Sequence, residues 1–562
     1  MRILFFLCLF FGFLGYSQTK NKNDYFNSPV KFPLELSGTF GELRSNHFHS
    51  GLDIKTKGQE GAEVFVAAPG VISRIKISHF GYGKALYVKH GNGQTSVYAH
   101  LKEFAPKIEA YVKKRQYAKE FFEIELYPKD SILTLEKDEL LAYSGNTGGS
   151  GGPHLHFEIR DAYSRPLNPL KYDLEVKDTV APVIQNLFLY QAKGQDMALS
   201  QTPMQLNITQ TDMHTYQALP VATNGKIGFG IQAFDRQNGS SNQNGVYSYQ
   251  LIVNGQSVFT MEMNRFSFSE TRYINQLTDY SYYQTNNDRI ARLFILKNNP
   301  LSIYDKTVNH GFLEVQKEMS YNVEIILKDF QQNTTTIQIP LTYSTQQQDN
   351  NKDITNAKGI TVDANDLFTF NKGIFDVYIP KKVLYEDATI TIDTEGSTLY
   401  LHKDVIPLHK KITIAADVSN YKPEDRSKLY FGELTENGKV YYSTTSLKGT
   451  RLSTKTRNFG TYGIYTDSIP PVITPVNFDK DRWISYETEL KLKIDDMETG
   501  IQSYKATLNG KFILTEYDYK TGMLIYKFKD AIIDTAQNNL EVIVLDKVGN
   551  RTVLNTTFYR KP

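Results

Sequence analysis

An internal repeat limits what this chain can fold into more than any other feature. Asp178-Thr-Val-Ala-Pro-Val-Ile184 returns as Asp467-Ser-Ile-Pro-Pro-Val-Ile473, and Gly245-Val-Tyr-Ser-Tyr249 with Asn254-Gly255 returns as Gly500-Ile-Gln-Ser-Tyr504 with Asn509-Gly510. A third pair joins Asn322-Val-Glu-Ile-Ile-Leu-Lys-Asp329 to Asn539-Leu-Glu-Val-Ile-Val-Leu-Asp546. The separation between partners shrinks from pair to pair, so the first copy carries the insertions. Asn-Gly between strand-like runs is a strong hairpin signal, and a proline-containing entry suits an edge strand. Between the copies, Ala388-Thr-Ile-Thr-Ile392 and Lys411-Ile-Thr-Ile-Ala415 alternate with the strand period. The reading is three β-sandwich (Ig-like) modules, at 176–345, 359–466 and 467–562, with a polar linker at 346–358 and a different domain before them. The fold class is mainly β.

Composition narrows the function. Of 562 residues, 40% are hydrophobic and 13% aromatic, which excludes a polytopic membrane protein and a largely disordered chain. A net charge of +2 with no long Lys/Arg run leaves no basic field, so no nucleic acid is expected as a partner. Met1-Arg2, an apolar run from Ile3 to Leu14, and small residues before a cut after Ser17 predict a signal peptide over 1–17. The run is short for a hydrocarbon core of about 30 Å, so no transmembrane segment is expected after cleavage. Export to the periplasm, the cell envelope or the exterior follows. Cys8 is the sole cysteine and falls inside that run. The mature chain therefore has no thiol, and metal chemistry must rest on His, Asp and Glu.

Of the 11 histidines, those at 47, 49, 79, 90, 100, 154 and 156 crowd into the stretch before the repeats. In Pro153-His-Leu-His-Phe-Glu-Ile-Arg160, Leu155, Phe157 and Ile159 alternate with His154, His156, Glu158 and Arg160. A strand here buries the apolar set and projects two imidazoles side by side. Ser144-Gly-Asn-Thr-Gly-Gly-Ser-Gly-Gly-Pro153 precedes it and lacks the Gly-Lys-Ser/Thr ending of a phosphate-binding loop. His49 and Asp53 can share one side of a segment, with Gly51 relieving crowding, whereas His47 has no ligand four residues on. Catalytic zinc commonly takes three protein ligands, and His49, Asp53 and one histidine of the strand pair supply such a set. The other would be free to act on water, and His100, ending Ser96-Val-Tyr-Ala-His100, could stabilise charge on a substrate oxygen. No His-Glu-x-x-His helix is present. His79 and His90 read as polar-face or turn residues, and His214, His310, His402 and His409 carry no assigned role.

These residues resemble the M23 metallopeptidases, the lysostaphin-like peptidoglycan endopeptidases. The resemblance spans roughly 33–170 and rests on His49-x-x-x-Asp53, Tyr-Ala-His100-Leu, and Ser-Gly-Asn-Thr-Gly followed by Gly-Pro-His154-Leu-His156-Phe. It implies that His49, Asp53 and His156 bind Zn2+ and that His154 and His100 serve the water and the tetrahedral intermediate. It also implies an antiparallel β-sheet with the metal in a groove, here over 18–175. The activity implied is cleavage of peptide cross-links or stem peptides of peptidoglycan. A non-catalytic murein-binding scaffold, or an activator of another cell-wall hydrolase, is the alternative. The segment at about 102–143 is longer than a minimal core needs; Ala105 to Lys119 reads as helix and Phe121 to Leu135 as strand. The span from Gln18 to His49 is too short for a folded prodomain. The β-modules are expected as spacers or as platforms for glycan or cell-envelope protein contacts.

Overall fold

Alternation of apolar side chains builds the sheet that carries the histidines. The computed structural model describes residues 25–172, 174–193, 198–199, 202–345, 359–530 and 535–561. The signal peptide read at 1–17 and the linker read at 346–358 lie outside the described residues. Leu155, Phe157 and Ile159 are fully buried on the strand His154–Arg160, and each such side chain contributes roughly 1.5–3 kcal/mol. That strand pairs antiparallel with Leu52–Lys55 on one side and Thr95–Ala99 on the other. Leu36–Gly38 extends the sheet at one edge, and Lys84–His90, Gly70–Ile77 and Ile124–Leu126 extend it at the other. A three-stranded sheet, Glu63–Phe65, Leu140–Ser144 and Leu101–Phe104, packs beside it.

The long segment after His100 forms a helix, Pro106–Lys119, and two short strands, Ile124–Leu126 and Thr134–Leu135, that both pair with Gly70–Ile77. Pro106 starts the helix, where its missing N–H costs nothing, and Glu120 ends it in the left-handed region. Ile108, Val112 and Gln116, one turn apart, are its buried stripe.

Both copies of the repeat fold as two-sheet β-modules, and the predicted hairpins form. Ser248–Val253 turns into Gln256–Glu262 through Asn254 (φ 49°) and Gly255 (φ 78°). Ile501–Leu508 turns into Lys511–Phe512 through Asn509 (φ 50°) and Gly510 (φ 77°). Positive φ at both central positions is the turn geometry that follows strand twist and favours Asn-Gly. The insertions of the first copy include the short helices Ile274–Leu277 and Tyr280–Asn286. The region between the copies has its own core, around Phe375, Phe431 and Tyr462.

Two features of the assembly were invisible in the repeat pattern. The histidine-bearing domain and the first module share one continuous core, joined where Phe266 packs 5.2 Å from Phe40 and 5.3 Å from Phe48, ring centre to ring centre. The C-terminal module folds back onto that same domain. Lys84, 7% exposed, meets Glu516 at 2.6 Å, Lys505 meets Glu120 at 2.6 Å, and Lys529 meets Glu103 at 3.0 Å. The segment at 102–143 is thus a docking surface, with Tyr117 edge-on to Phe512.

Candidate active site

Strand register brings the predicted ligands together. His156 lies directly across from Asp53 on one neighbouring strand and from Ala99 on the other, and His100 follows Ala99 at the strand end with φ 60°. His49 approaches from the turn before Leu52–Lys55, with Gly51 between the two ligands of that segment. A Cβ on Gly51 would stand 2.3 Å from the Phe157 carbonyl oxygen, so only glycine fits.

Three donor atoms converge: His49 Nε2, Asp53 Oδ1 and His156 Nδ1. They are 3.1, 2.8 and 3.1 Å apart, pair by pair. A tetrahedral ion with bonds of about 2.0–2.1 Å holds its ligands roughly 3.3 Å apart, so the set fits a zinc-sized cation with little adjustment. All three side chains are buried. The outer nitrogens are also occupied: His49 Nδ1 donates to the Thr39 carbonyl at 2.8 Å, and His156 Nε2 donates to Glu158 Oε1 at 2.9 Å. Such partners fix ring orientation and leave the inner nitrogen free for an ion.

Two further imidazoles rim the cluster. His154 Nδ1 donates to the Gly152 carbonyl at 2.8 Å, and His100 Nδ1 donates to the Thr147 carbonyl at 2.8 Å. Both rings therefore present an unprotonated Nε2, that of His154 lying 3.3 Å from Asp53 Oδ1. Their centres are 4.8 Å apart. Five residues named from sequence thus occupy one site, while His47 is exposed and bonded to Ser45. His90 is buried between Pro69 and Ser96, and His79 packs on Phe122, Tyr504 and Tyr517.

Burial and charge set the protonation states. Burial opposes ionisation of Asp53, yet the imidazoles around it, His49 first and then His154 and His156, hold it well below the usual carboxylate range. Burial, then the His156 and His154 imidazoles, push His100 down to about 3, so it is neutral at any ordinary pH. Burial resists charge on His156, but its hydrogen bonds to Asp53 and Glu158 carry it up to about 9. A cation entering the cluster displaces that proton.

Sequence reasoning missed the supporting residues. Arg44 Nη2 donates to Asp53 Oδ2 at 2.6 Å, orienting the carboxylate through its second oxygen. Glu158 also accepts from Ser50 Oγ at 2.7 Å, from the Tyr82 hydroxyl, and from Arg160 Nε at 2.6 Å. Glu158 and Arg160 were visible in the strand alternation beside the histidines; Tyr82 arrives only through tertiary packing, and Arg44 and Thr39 through the turns that fold residues 39–49 back on themselves.

The C-terminal module touches the glycine loop of this site. Lys520 donates to the Ser150 carbonyl at 3.0 Å and also to the Asn146 carbonyl. The Tyr519 hydroxyl donates to the Gly148 carbonyl at 3.4 Å, and its ring packs tilted against Phe80, 4.6 Å between centres.

Residues 47–118 match the model of Peptidase family M23, and residues 360–467 match that of a Zu5-like domain. The DD-carboxypeptidase/endopeptidase Mpg of Neisseria meningitidis serogroup B is 30% identical over 154 residues, covering 26% of this chain and 29% of that protein. The peptidoglycan DD-endopeptidase ShyA of Vibrio cholerae is 25% identical over 178 residues, 31% of this chain and 35% of that protein. The chain thus spans about a third of the length of these relatives. Among solved structures, a zinc-containing peptidase from Vibrio cholerae is 24% identical over 27% of this chain and 41% of that one (TM-score 0.21). The catalytic domain of lysostaphin from Staphylococcus simulans is 18% identical over 24% of this chain and 90% of that one (TM-score 0.18).

Proposed function

We propose that this chain, whose residues 47–118 match the model of Peptidase family M23, is an exported zinc endopeptidase that hydrolyses peptide bonds in the cross-links or stem peptides of peptidoglycan. The observation that carries the reading is the convergence of His49, Asp53 and His156 with two further imidazoles around them. The relatives' names, a DD-carboxypeptidase/endopeptidase and a peptidoglycan DD-endopeptidase, support the substrate class.

Zinc in this donor set supplies the Lewis acidity that activates water and polarises a carbonyl. The protein's residues do the rest. His154, with Nε2 unprotonated and facing the cluster, takes the proton of the attacking water and passes it to the leaving amine. His100 presents a second neutral acceptor across the groove, so a proton taken by either ring becomes a cation beside the negative charge that develops on the substrate oxygen. The Thr147 and Gly152 carbonyls hold both rings in that tautomer. Arg44 keeps Asp53 turned inward.

Export rests on the signal peptide read over 1–17. Among the described residues no helix is long and apolar enough to cross a membrane. A scaffold that only binds murein has no need of a complete donor set with buried supporting bonds, which favours catalysis over the alternative. Purified protein incubated with murein sacculi is expected to release free amines and to stop on chelation. Unchanged turnover by the His49→Ala, Asp53→Ala double variant would reject the proposal.

A further inference from the structure

The landmarks that reveal the repeat in sequence come together in space as acids. In the first module Asp178, Asp235 and Asp329 each bring a carboxylate oxygen within 4.8 Å of the other two. Asp235 is 5% exposed and Asp329 2%. All three line a cavity of about 30 Å3 together with Asn244. Two buried oxygens there, Asp235 Oδ1 and Asn244 Oδ1, have no hydrogen-bond partner, and Asn244 is only 3% exposed. Leaving a buried polar atom unpaired is costly, and more so when it is charged. Burial, then the charges of Asp329 and Asp178, push Asp235 up to about 8, as expected of acids crowded without a counter-ion.

We propose that Asp178, Asp235 and Asp329, with the side-chain oxygen of Asn244, bind one divalent cation of the calcium class in the first β-module. The donors are all oxygen, with neither imidazole nor thiolate, which selects a hard cation. Oxygens on opposite sides of calcium stand roughly 4.6–5.2 Å apart, so carboxylates no more than 4.8 Å apart can share one ion without moving the strands.

The same arrangement recurs in the C-terminal module. Asp467, Asp496 and Asp546 meet within the same limit. Asn550 donates to Asp546 Oδ2 at 2.7 Å and to the Asp467 carbonyl at 3.0 Å. Asn333 does the same for Asp329 Oδ2 at 2.6 Å and the Asp178 carbonyl at 3.2 Å. The acids are therefore part of how the module is built. The unpaired buried oxygens belong to the first copy, and so does the proposed ion.

Its position ties it to the active site. Gly245, next to Asn244, donates its N–H to Thr39 Oγ1 at 3.0 Å, and the Thr39 carbonyl holds His49 Nδ1. Ordering Asn244 orders the segment behind a ligand of the catalytic cluster.

The test is a calcium count on the full chain. Metal-stripped protein is reloaded with one equivalent of zinc, dialysed against calcium chloride and analysed by atomic emission. Asp235→Asn is expected to remove one calcium per chain and leave the zinc count unchanged. A parent protein that binds no calcium, or a count unchanged by Asp235→Asn, overturns the proposal. Asparagine at 235 relieves like-charge repulsion, so in calcium-free buffer at pH 8 the variant is expected to melt no lower than the parent. It is also expected to lose the rise in melting temperature that calcium gives the parent; a rise equal to the parent's overturns the proposal as well.

Discussion

His156 faces Asp53 across an antiparallel strand pair, its Nδ1 2.8 Å from Asp53 Oδ1. Directly opposed residues are the closest neighbours a sheet offers, so the register of two strands is what makes two of the three donors. His49 then needs only the turn before Leu52–Lys55 to complete it.

Glu158 should matter to the metal although it does not touch it. It accepts from His156 Nε2 and ion-pairs with Arg160. Glu158→Gln keeps the shape and removes the charge, and zinc affinity is expected to fall about 10–100-fold. Competition with a chromophoric chelator measures it, and an unchanged affinity counts against the role.

Gly148 sits in the loop that holds His100, with φ 71°, and a Cβ there would lie 2.3 Å from Gly81 O and from Gly83 N. Both are backbone atoms that cannot swing aside. Gly148→Ala should displace the Thr147 carbonyl and with it the His100 ring. Turnover is expected to fall about 100-fold, the cost of roughly 1 Å of misplacement, while zinc content stays at one per chain. Loss of zinc would show that the loop also supports the ligands.

Lys520 should steady the glycine loop from outside. It is exposed, so its bonds to Ser150 and Asn146 contribute about 1 kcal/mol at most. In Lys520→Ala, amide exchange in residues 145–152 is expected to quicken about five-fold, with strand His154–Arg160 unaffected. Unchanged exchange would mean that the C-terminal module merely lies beside the loop.

The acids of the first module predict a pH dependence. Burial and neighbouring acids raise Asp235 to about 8; Asp329 rises to about 6, chiefly through burial. Both groups bind protons in the folded state at pH values where the unfolded chain has released them. Stability therefore falls as pH rises from about 4 to about 8. Without calcium, the urea midpoint read by circular dichroism is expected to be higher at pH 5 than at pH 8. Calcium at pH 8 should close the gap.

Much of this was legible in the sequence because it depends on short-range pattern. The alternation in His154–Arg160 placed both histidines on one face, and Asn254-Gly255 and Asn509-Gly510 marked hairpins that the structure contains. What stayed hidden has no such pattern. Tyr82 reaches Glu158 only across 76 residues of chain, while Arg44 and Thr39, nine and ten residues from Asp53 and His49, reach them through irregular turns that no periodic pattern marks. The recurrence of Asp178 at Asp467 and of Asp329 at Asp546 marked related modules, yet their convergence on Asp235 and Asp496 needed the fold. Nothing in the repeat announced that Lys84 would meet Glu516.

The division of labour between the two strand histidines is the central claim, and zinc content measured on two variants tests it. His156→Ala is expected to lose the ion, whereas His154→Ala is expected to keep one zinc per chain and still fail to cleave murein. Zinc lost from His154→Ala and retained by His156→Ala would contradict the account.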